Sequence, residues 1–193
     1  MTKRWNSESY TAQFEHILAL CNESWMYPFK YISKPPGKVL EVGCGCGKWS
    51  ALFALLGFQV TCTDKDPMML KQVRKNFPNI KMLYKVAELP HVNDQFAKQF
   101  NVVFNEGTIE HFLDNGERLR AIDDMLKCLL PHGTLILIVP YYRSISPPTD
   151  EFKYTPNNME HEFVQLGIHN GHIFVLNSTE TAQSWLGIVV RKG

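Results

Sequence analysis

The sequence has no long hydrophobic run and almost no net charge. No segment approaches the ~18 apolar residues of a membrane-spanning helix, and residues 1–7 lack the apolar core of a signal peptide. The 20 Lys and Arg residues nearly balance the 19 Asp and Glu residues, for a net charge of +1. This balance excludes a global attraction to nucleic acid or acidic membranes and leaves only a local basic patch open. We expect a cytoplasmic protein with no membrane contact, and nucleic acid is disfavoured as a partner.

The sequence lacks an even number of cysteines, because it has five. Cys44 and Cys46 lie between glycines, where the chain is a poor base for a structural disulfide. Together with Cys62 they suggest a soft-metal cluster as an alternative, but no second ligand pair with zinc spacing accompanies them. We predict reduced thiols and no metal site.

The 193 residues suffice for one domain with a real core. Apolar strand-like runs alternate with helix-like periodicity over residues 39–139, which is typical of a parallel sheet built by right-handed crossovers. Asp66, followed by Pro67, and Asp114 are predicted helix caps. The patterns also predict strands at 80–84 and 134–139, helices at 114–130 and 158–168, and a closing strand pair at 172–176 and 186–190.

One stretch combines a strand, a tight turn and a helix. The apolar run that starts at Lys38 passes into Gly43, Gly45 and Gly47, and an apolar segment of helical length, 49–56, follows. Glycine permits positive φ and lets a ligand approach the main-chain N–H groups without meeting a Cβ atom. The next helix points the positive end of its dipole toward this loop. The stretch therefore suits a nucleoside-bearing cofactor with an anionic group.

The glycines alone fit several classes of loop. A phosphate loop is excluded because Val42 and Trp49 occupy its required Gly and Ser/Thr positions. A dinucleotide fingerprint is disfavoured because Lys48 stands where its third glycine belongs. A glycine-rich turn in an unrelated α/β domain remains an alternative.

Two further stretches place polar groups where strands end. The predicted strand 58–63 runs into Asp64, 21 residues after Gly43, the interval at which an acid can accept hydrogen bonds from ribose hydroxyls. A surface Asp in a turn is the alternative. The strand that begins at Phe100 leads into polar residues up to His111, at the sheet edge where open α/β sheets bind ligands.

Residues 41–47, an acid followed two positions later by Gly-x-Gly-x-Gly, resemble motif I of the class I S-adenosylmethionine (SAM) methyltransferases. Residues 100–111 are similar to the Phe-Asp to Glu-His pattern of that family, with Asn101 in place of the usual Asp. The resemblance implies an α/β, Rossmann-like doubly wound sheet of seven strands, mostly parallel, with an antiparallel C-terminal strand. It also implies a single domain over 1–193, with a cap helix in 1–34 and the core in 35–193.

The predicted cap helix begins at Asn6 or Ser7 and ends near Pro28. In the family, such a helix lies over cofactor and substrate, and Trp5, Tyr10 and Trp25 would be its aromatic contacts. Packing on the edge of the sheet is the alternative.

The resemblance implies SAM as the cofactor and a set of positions that would bind it. The family usually has an Asp that accepts from the adenine amino group, but Val86 occupies that position here. Adenine would then depend on main-chain groups near Val86 and Ala87, with Glu88 as a substitute. The predicted cofactor-binding residues are Glu41, Gly43, Cys44, Gly45, Gly47, Asp64, Lys65, Ala87, Glu88, Asn105 and Glu106.

Methyl transfer is an in-line displacement, so the protein mainly aligns the acceptor and excludes water. An acceptor hydroxyl or ammonium needs a base, and the candidates are Glu110, His111, Tyr141, Tyr142 and His161. We predict Glu110 and His111 as the catalytic residues, with a structural histidine as the alternative for His111. The predicted activity is SAM-dependent methylation of a small molecule. A non-catalytic SAM-binding sensor or partner subunit and a nicotinamide-dependent oxidoreductase are the alternatives.

Overall fold

The computed structural model describes residues 24–142, 147–176 and 184–193, and their strands form one sheet. The strands are β1 Lys38–Val42, β2 Gln59–Asp64, β3 Leu83–Val86, β4 Phe100–Glu106, β5 Leu129–Tyr141, β6 His172–Leu176 and β7 Ser184–Arg191. The α-helices are α1 Lys48–Leu55, α2 Pro67–Asn76, α3 Asn93–Phe96, α4 Asn115–Cys128 and α5 Pro156–Gln165. Two segments of the described residues are 3₁₀-helical, Ser24–Tyr31 and Ile109–His111.

The strand order within the described residues is β3-β2-β1-β4-β5-β7-β6. Strands β1 to β5 pair in parallel, while β7 runs antiparallel to both β5 and β6. This confirms the predicted doubly wound sheet of seven strands with an antiparallel C-terminal strand. The order reverses between β1 and β4, so the carboxyl ends of these two strands flank the crevice where such sheets bind ligands.

Helices cover both faces of the sheet because its central strands are apolar on both sides. Val39 and Leu40 are both fully buried, yet they belong to different clusters, since successive side chains of a strand point to opposite faces. One cluster includes Phe53 of α1 and Val73 of α2, and the other includes Ile122 of α4. The two layers hold the ends of β1, β2 and β4 in a fixed relation.

Both predicted helix caps are present. The Asp66 side chain accepts from the N–H of Met68 at 2.8 Å, and Pro67 occupies the first turn of α2. The Asp114 side chain accepts from the N–H of Glu117 at 2.9 Å at the start of α4. These short side chains satisfy N–H groups that the first helical turn leaves unpaired.

Several predicted boundaries are wrong, including the start of β5, which lies at Leu129 instead of Thr134. Strand β3 lies at 83–86 instead of 80–84, because Ile80 donates to the carbonyl of Phe77 in the turn that ends α2. Helix α4 ends at Cys128 instead of Leu130, and β5 begins immediately, since Leu129 pairs with Phe100 of β4. Helix α5 occupies 156–165 instead of 158–168.

Most of the predicted N-terminal cap helix, with Trp5, Tyr10 and the side chain of Trp25, lies outside the described residues. The described part is the 3₁₀ segment Ser24–Tyr31, which continues through Pro28 rather than ending there. Phe29 anchors it, because its ring lies 5.2 Å from that of Phe53 on α1. Within the described ranges, no helix has the length and apolar character needed to span a membrane.

Candidate functional site

The glycine loop between β1 and α1 uses its three glycines for different purposes. Gly43, Gly45 and Gly47 all have positive φ, at 68°, 50° and 82°. A Cβ at Gly43 would lie 2.4 Å from Thr108 Oγ1, and one at Gly47 would lie 2.4 Å from Val73 Cγ1. A Cβ at Gly45 would meet no described atom within 4 Å. The outer glycines therefore serve packing, and the middle one leaves the main chain open to an approaching ligand.

Asp64 lies directly beside this open glycine. Its Oδ2 accepts from the N–H of Gly45 at 2.9 Å, and its Oδ1 accepts from the N–H of Asp66 at 2.9 Å. Burial raises the pKa of Asp64, and these two hydrogen bonds oppose the rise. The predicted proximity of Asp64 to the loop is confirmed. Each carboxylate oxygen keeps a lone pair for a further donor.

The loop offers fewer free donors than its glycines suggest. Cys44 donates its N–H to the carbonyl of Thr63 at 2.8 Å, and Gly47 donates to the carbonyl of Cys44 at 2.8 Å. The N–H of Gly45 donates to Oδ2 of Asp64. These bonds fix the shape of the turn, because buried main-chain groups need partners. These three N–H groups are therefore already paired within the protein.

The two acids predicted to bind the cofactor near the glycine loop, Glu41 and Asp64, lie at different depths. Glu41 is only 2% exposed and accepts a short hydrogen bond from Ser50 Oγ on α1. Burial raises its pKa to about 8, so this carboxyl is neutral at pH 7. The Glu41 side chain thus holds α1 on β1 through this hydrogen bond. Asp64 is the acid that borders the opening.

The ends of β2 and β3 frame the far side of the crevice. Ala87 donates its N–H to the carbonyl of Asp64 at 3.2 Å, and the carbonyl of Val86 accepts from Gln95 Nε2 at 3.3 Å. Two of the main-chain groups in the predicted adenine region, the Ala87 N–H and the Val86 carbonyl, are therefore already engaged. Lys65 and Glu88 extend into solvent, where Nζ and Oε1 lie 3.5 Å apart.

The end of β4 brings together two residues of different character. Asn105 is fully buried and donates from Nδ2 to the carbonyl of Val42 at 2.7 Å, so it ties β4 to β1, while its Oδ1 has no hydrogen-bond partner among the described residues. Glu106 accepts from Lys48 Nζ at 2.8 Å through Oε1 and from Trp49 Nε1 at 2.8 Å through Oε2. Sequence reasoning missed this ion pair. The one feature of the sequence that could have indicated this pair is the lysine directly after the third glycine.

The 3₁₀ turn after β4 presents Glu110 and His111 in opposite ways. Glu110 is 2% exposed, and its Oε2 has no hydrogen-bond partner among the described residues. Burial, with the negative charges of Glu151 and Glu106, raises its pKa to about 8. His111 is exposed, and its Nδ1 lies 3.0 Å from the carbonyl oxygen of Asp150. The turn therefore combines an unpaired buried acid with an anchored surface histidine.

Comparison of the sequence with known proteins identifies similar methyltransferases. Residues 39–133 match the family described as "Methyltransferase domain". An uncharacterized methyltransferase of Bacillus subtilis, YodH, is 28% identical over 63% of this chain and 51% of its own length. A ubiquinone biosynthesis O-methyltransferase of Xanthomonas campestris is 32% identical over 55% of this chain and 44% of its own. Over residues 39–133 the chain is therefore similar to methyltransferase domains.

Solved structures agree with this methyltransferase fold. A SAM-dependent methyltransferase from Methanosarcina mazei superposes with a TM-score of 0.70 at 17% identity, covering 88% of this chain and 98% of that one. Phosphoethanolamine N-methyltransferase 2 of Haemonchus contortus, in complex with SAM, superposes with a TM-score of 0.68 at 13% identity, covering 88% and 53%. At sequence identities this low, the structural similarity shows a shared fold. The chain spans about half the length of the first two curated relatives.

The remaining predicted base candidates lie near the end of β5 and on α5. Tyr142 is buried and donates to Glu151 Oε2 at 2.5 Å, at the end of the sheet that also carries Tyr141. His161 is exposed on α5, with Nδ1 3.2 Å from Gln165 Nε2. His161 is therefore a surface residue and does not share the burial of Glu110.

A buried ion pair, the strut, holds the segment that follows the turn with Glu110. Arg118 of α4 and Glu162 of α5 form an ion pair at 2.7 Å, with both side chains 3% exposed. Arg118 Nη1 also donates to the carbonyls of Phe112 and Leu113, directly after the turn that carries Glu110. Sequence reasoning missed this strut because its two partners are 44 residues apart and lie in unrelated helical patterns.

Proposed function

We propose that the protein transfers a methyl group from SAM to a small-molecule acceptor by in-line displacement. The observation that carries this proposal is the hydrogen bond from the Gly45 N–H to Asp64 Oδ2, 2.9 Å, beside a glycine whose Cβ direction is open. This arrangement places a carboxylate with spare lone pairs next to bare main chain, which suits a ribose over a tight turn.

The binding residues divide into contacts and supports. We propose that Gly43, Gly45 and Gly47 shape the floor, that Asp64 holds the ribose hydroxyls, and that Glu106 borders the amino-acid end. The exposed pair Lys65 and Glu88, with Ala87 beneath, would flank the nucleobase. The buried groups would act through their neighbours, and these supports are Glu41, Cys44 and Asn105.

At the acceptor end, Glu110 and His111 would receive the incoming nucleophile. SAM, when bound, supplies a methyl group already activated by the positive sulfur. The protein supplies alignment, exclusion of water and a base. Glu110 Oε2 is buried with no partner among the described residues, so it is available to hydrogen-bond an acceptor and to take its proton.

The proposal also covers the methyl acceptor, the location of the protein in the cell and its domain organisation. The net charge of +1 argues against a large anionic acceptor, and the named relatives include methyltransferases of ubiquinone biosynthesis. We propose a small acceptor, a cytoplasmic location and one methyltransferase unit over 1–193, with 1–34 as the cap. Nucleic acid and membrane surfaces are not proposed as partners.

A SAM-binding protein without transfer activity is the second candidate. It is favoured by Val86, which replaces the usual acid and is 51% exposed, and by the engaged main chain of Ala87. Such a protein would bind the cofactor as a sensor or partner subunit. A nicotinamide-dependent oxidoreductase would require NAD binding at the same loop.

Thermal unfolding with cofactors tests the proposal. SAM and its demethylated product S-adenosylhomocysteine should raise the Tm, because a ligand at 100 times its Kd stabilises by about 2.7 kcal/mol, whereas NAD should not. Asp64→Ala should remove most of this shift. A shift with NAD alone, or one unchanged in Asp64→Ala, would refute the assignment. Turnover across a panel of small hydroxyl, amine and thiol acceptors then separates the enzyme from a binding protein.

A further inference from the structure

A concentration of positive charge lies where α2 and β3 meet at the edge of the sheet. Residues 67–87 contain five Lys or Arg residues and no Asp or Glu, in a chain whose net charge is +1. The remainder of the chain is therefore net acidic. All five side chains are exposed, and together they form the basic edge, which consists of Lys71, Arg74, Lys75, Lys81 and Lys85. The local field of this surface attracts anions although the whole molecule is nearly neutral.

Neighbouring acids do not neutralise the basic edge. None of the ion pairs among the described residues includes one of its members. Asp66, which precedes the segment, caps α2 by accepting from the N–H of Met68 at 2.8 Å. Glu88, which follows the segment, has its Oε1 3.5 Å from Nζ of Lys65. Lys71 and Lys75 lie one helical turn apart and repel each other, so an anionic partner would relieve an unfavourable interaction.

The cations of the basic edge lie on both faces of strand β3. On one face, Arg74 of α2 reaches over the Tyr84 ring, with its Cζ 4.5 Å from the ring centre. Successive side chains of a strand point to opposite faces, so Lys85 and Leu83 lie on the face opposite Tyr84. A partner placed beside β3 would therefore meet positive charge on both faces of the sheet.

Strand β3 also offers main-chain groups at an open edge. Among the described residues it is the last strand of the sheet and pairs with β2 alone. The N–H of Ala87 donates to the carbonyl of Asp64 on the β2 side, whereas the carbonyl of Val86 accepts from Gln95 Nε2 on the other side. Main-chain groups of successive strand residues point to alternate edges, so the N–H and carbonyl of Tyr84 point away from β2. Such groups are a template for a further strand.

The neighbouring side chains favour a polypeptide over other anions. Leu83 and Val86 are 66% and 51% exposed and lie on opposite faces of β3, where aliphatic side chains of a paired strand could cover them. Single-stranded nucleic acid stacks its bases on aromatic rings, but Arg74 covers the ring of Tyr84. A membrane-bound helix exposes its apolar face, whereas Val73 of α2 is fully buried.

We propose that the basic edge binds an extended acidic segment of a partner protein, which lies along β3 as an added strand. The main chain of this segment would pair with Tyr84, and its carboxylates would contact lysine and arginine side chains on both faces. Its aliphatic side chains would cover Leu83 and Val86. The surface uses none of the side chains proposed to contact the cofactor or the acceptor, so the proposal does not depend on methyl transfer.

Fluorescence anisotropy with labelled peptides tests this surface. The acidic probe repeats Glu-Glu-Val-Val, which places acids and aliphatic residues on both faces of a strand, and the neutral probe repeats Gln-Gln-Val-Val. The native protein should bind the acidic probe roughly tenfold or more tightly than the neutral one. The double variants Lys71→Gln with Lys75→Gln and Lys81→Gln with Lys85→Gln should each weaken the acidic probe about tenfold. Thermal unfolding of each variant checks that it is folded.

A matched control removes the same charge elsewhere. The double variant Lys34→Gln with Lys127→Gln neutralises two exposed lysines outside the basic edge, and its Kd for the acidic probe should stay within about twofold of the native value. Hydrogen exchange should show protection of the Tyr84 N–H by the bound peptide. Equal binding of the two probes, no measurable binding, equal weakening in the control variant or an unprotected Tyr84 would each overturn the proposal. Tighter binding of a DNA duplex or of phosphatidylserine vesicles than of the acidic probe would overturn it as well.

Discussion

Two buried glutamates illustrate how the same pKa shift arises in different settings. Burial raises the pKa values of Glu41 and Glu110 to about 8. Glu41 has a partner, the Ser50 hydroxyl, whereas Glu110 Oε2 has none among the described residues. A buried polar group without a partner costs free energy unless a ligand supplies one. Glu41 therefore stabilises the fold, whereas Glu110 is free to act as the base in the reaction we propose.

The shift at Glu41 predicts how stability depends on pH. Its folded pKa of about 8 exceeds the ordinary 4.5, so the folded state binds the extra proton between these values. Stability from this group is fully present below about pH 4.5 and is lost as pH rises through about 8. Glu41→Gln keeps a neutral side chain, so its free energy of unfolding should fall less between about pH 5 and pH 8. Urea titrations of both proteins would measure this, and parallel pH curves would contradict the assignment.

The shift at Glu110 predicts how activity depends on pH. A base must be ionised, so kcat/KM should rise with pH up to about 8, where Glu110 loses its proton. Glu110→Gln should lower kcat/KM by about 10² to 10⁴-fold and remove this rise. Initial rates across pH, with S-adenosylhomocysteine binding as the control for folding, provide the measurement. A variant with the native pH profile would exclude Glu110 as the base.

At the scale of elements, the glycine loop separates packing from binding. Gly47 lies against Val73 of α2, so its missing side chain sets how closely α1 and α2 approach. Gly45 touches no described atom in its Cβ direction. Gly45 and Gly47 thus have different roles, and these roles are visible only from the residues that lie beside each glycine in the structure.

Alanine substitutions should distinguish these roles. Gly47→Ala adds strain at positive φ and a 2.4 Å contact with Val73, and should cost about 2 to 5 kcal/mol of stability. Gly45→Ala adds only the conformational strain, about 1 to 2 kcal/mol, but should weaken S-adenosylhomocysteine binding more than tenfold. Chemical unfolding and calorimetric titration compare the two. Equal stability losses, or unimpaired binding by Gly45→Ala, would contradict this division.

At the scale of the whole molecule, the strut formed by Arg118 and Glu162 connects the segment after the Glu110 turn to helices α4 and α5. The Arg118 guanidinium lies 3.5 Å from the centre of the Phe152 ring, and Phe152 donates its N–H to the carbonyl of Glu110 at 2.7 Å. Tyr154 also contacts Glu162, with its hydroxyl 3.4 Å from Oε2. A substitution in the strut should therefore change both the stability of the protein and the position of Glu110, the proposed base.

Removing one partner of this strut should be costly. Arg118→Met leaves the Glu162 carboxylate buried without its cation, and the expected loss is about 3 to 5 kcal/mol in the free energy of unfolding. The double variant Arg118→Met, Glu162→Met should recover part of this loss, because no charge is then left buried. Urea denaturation of the single and double variants measures the coupling. A double variant no more stable than the single one would contradict this account.

Much of the fold was predictable because its signals are local. The caps at Asp66 and Asp114, the glycine loop and the strand ending at Asp64 each depend on a few neighbouring residues. Boundaries set by pairing partners were less predictable, as the early start of β5 at Leu129 shows. Lys48 and Arg118 were missed because their partners are distant in sequence.

The sequence by itself determined the α/β class, the tight turn after β1 and the acid at the end of β2, since backbone conformation and strand patterning are local properties. The tertiary structure alone decided which polar groups face the crevice. It buried Glu41 and Asn105, engaged the main chain of Ala87, and left Glu110 without a partner among the described residues. The physical reason is that burial and hydrogen-bond pairing depend on which distant segments the sheet brings together, and these two factors set the charge and availability of every side chain in the site.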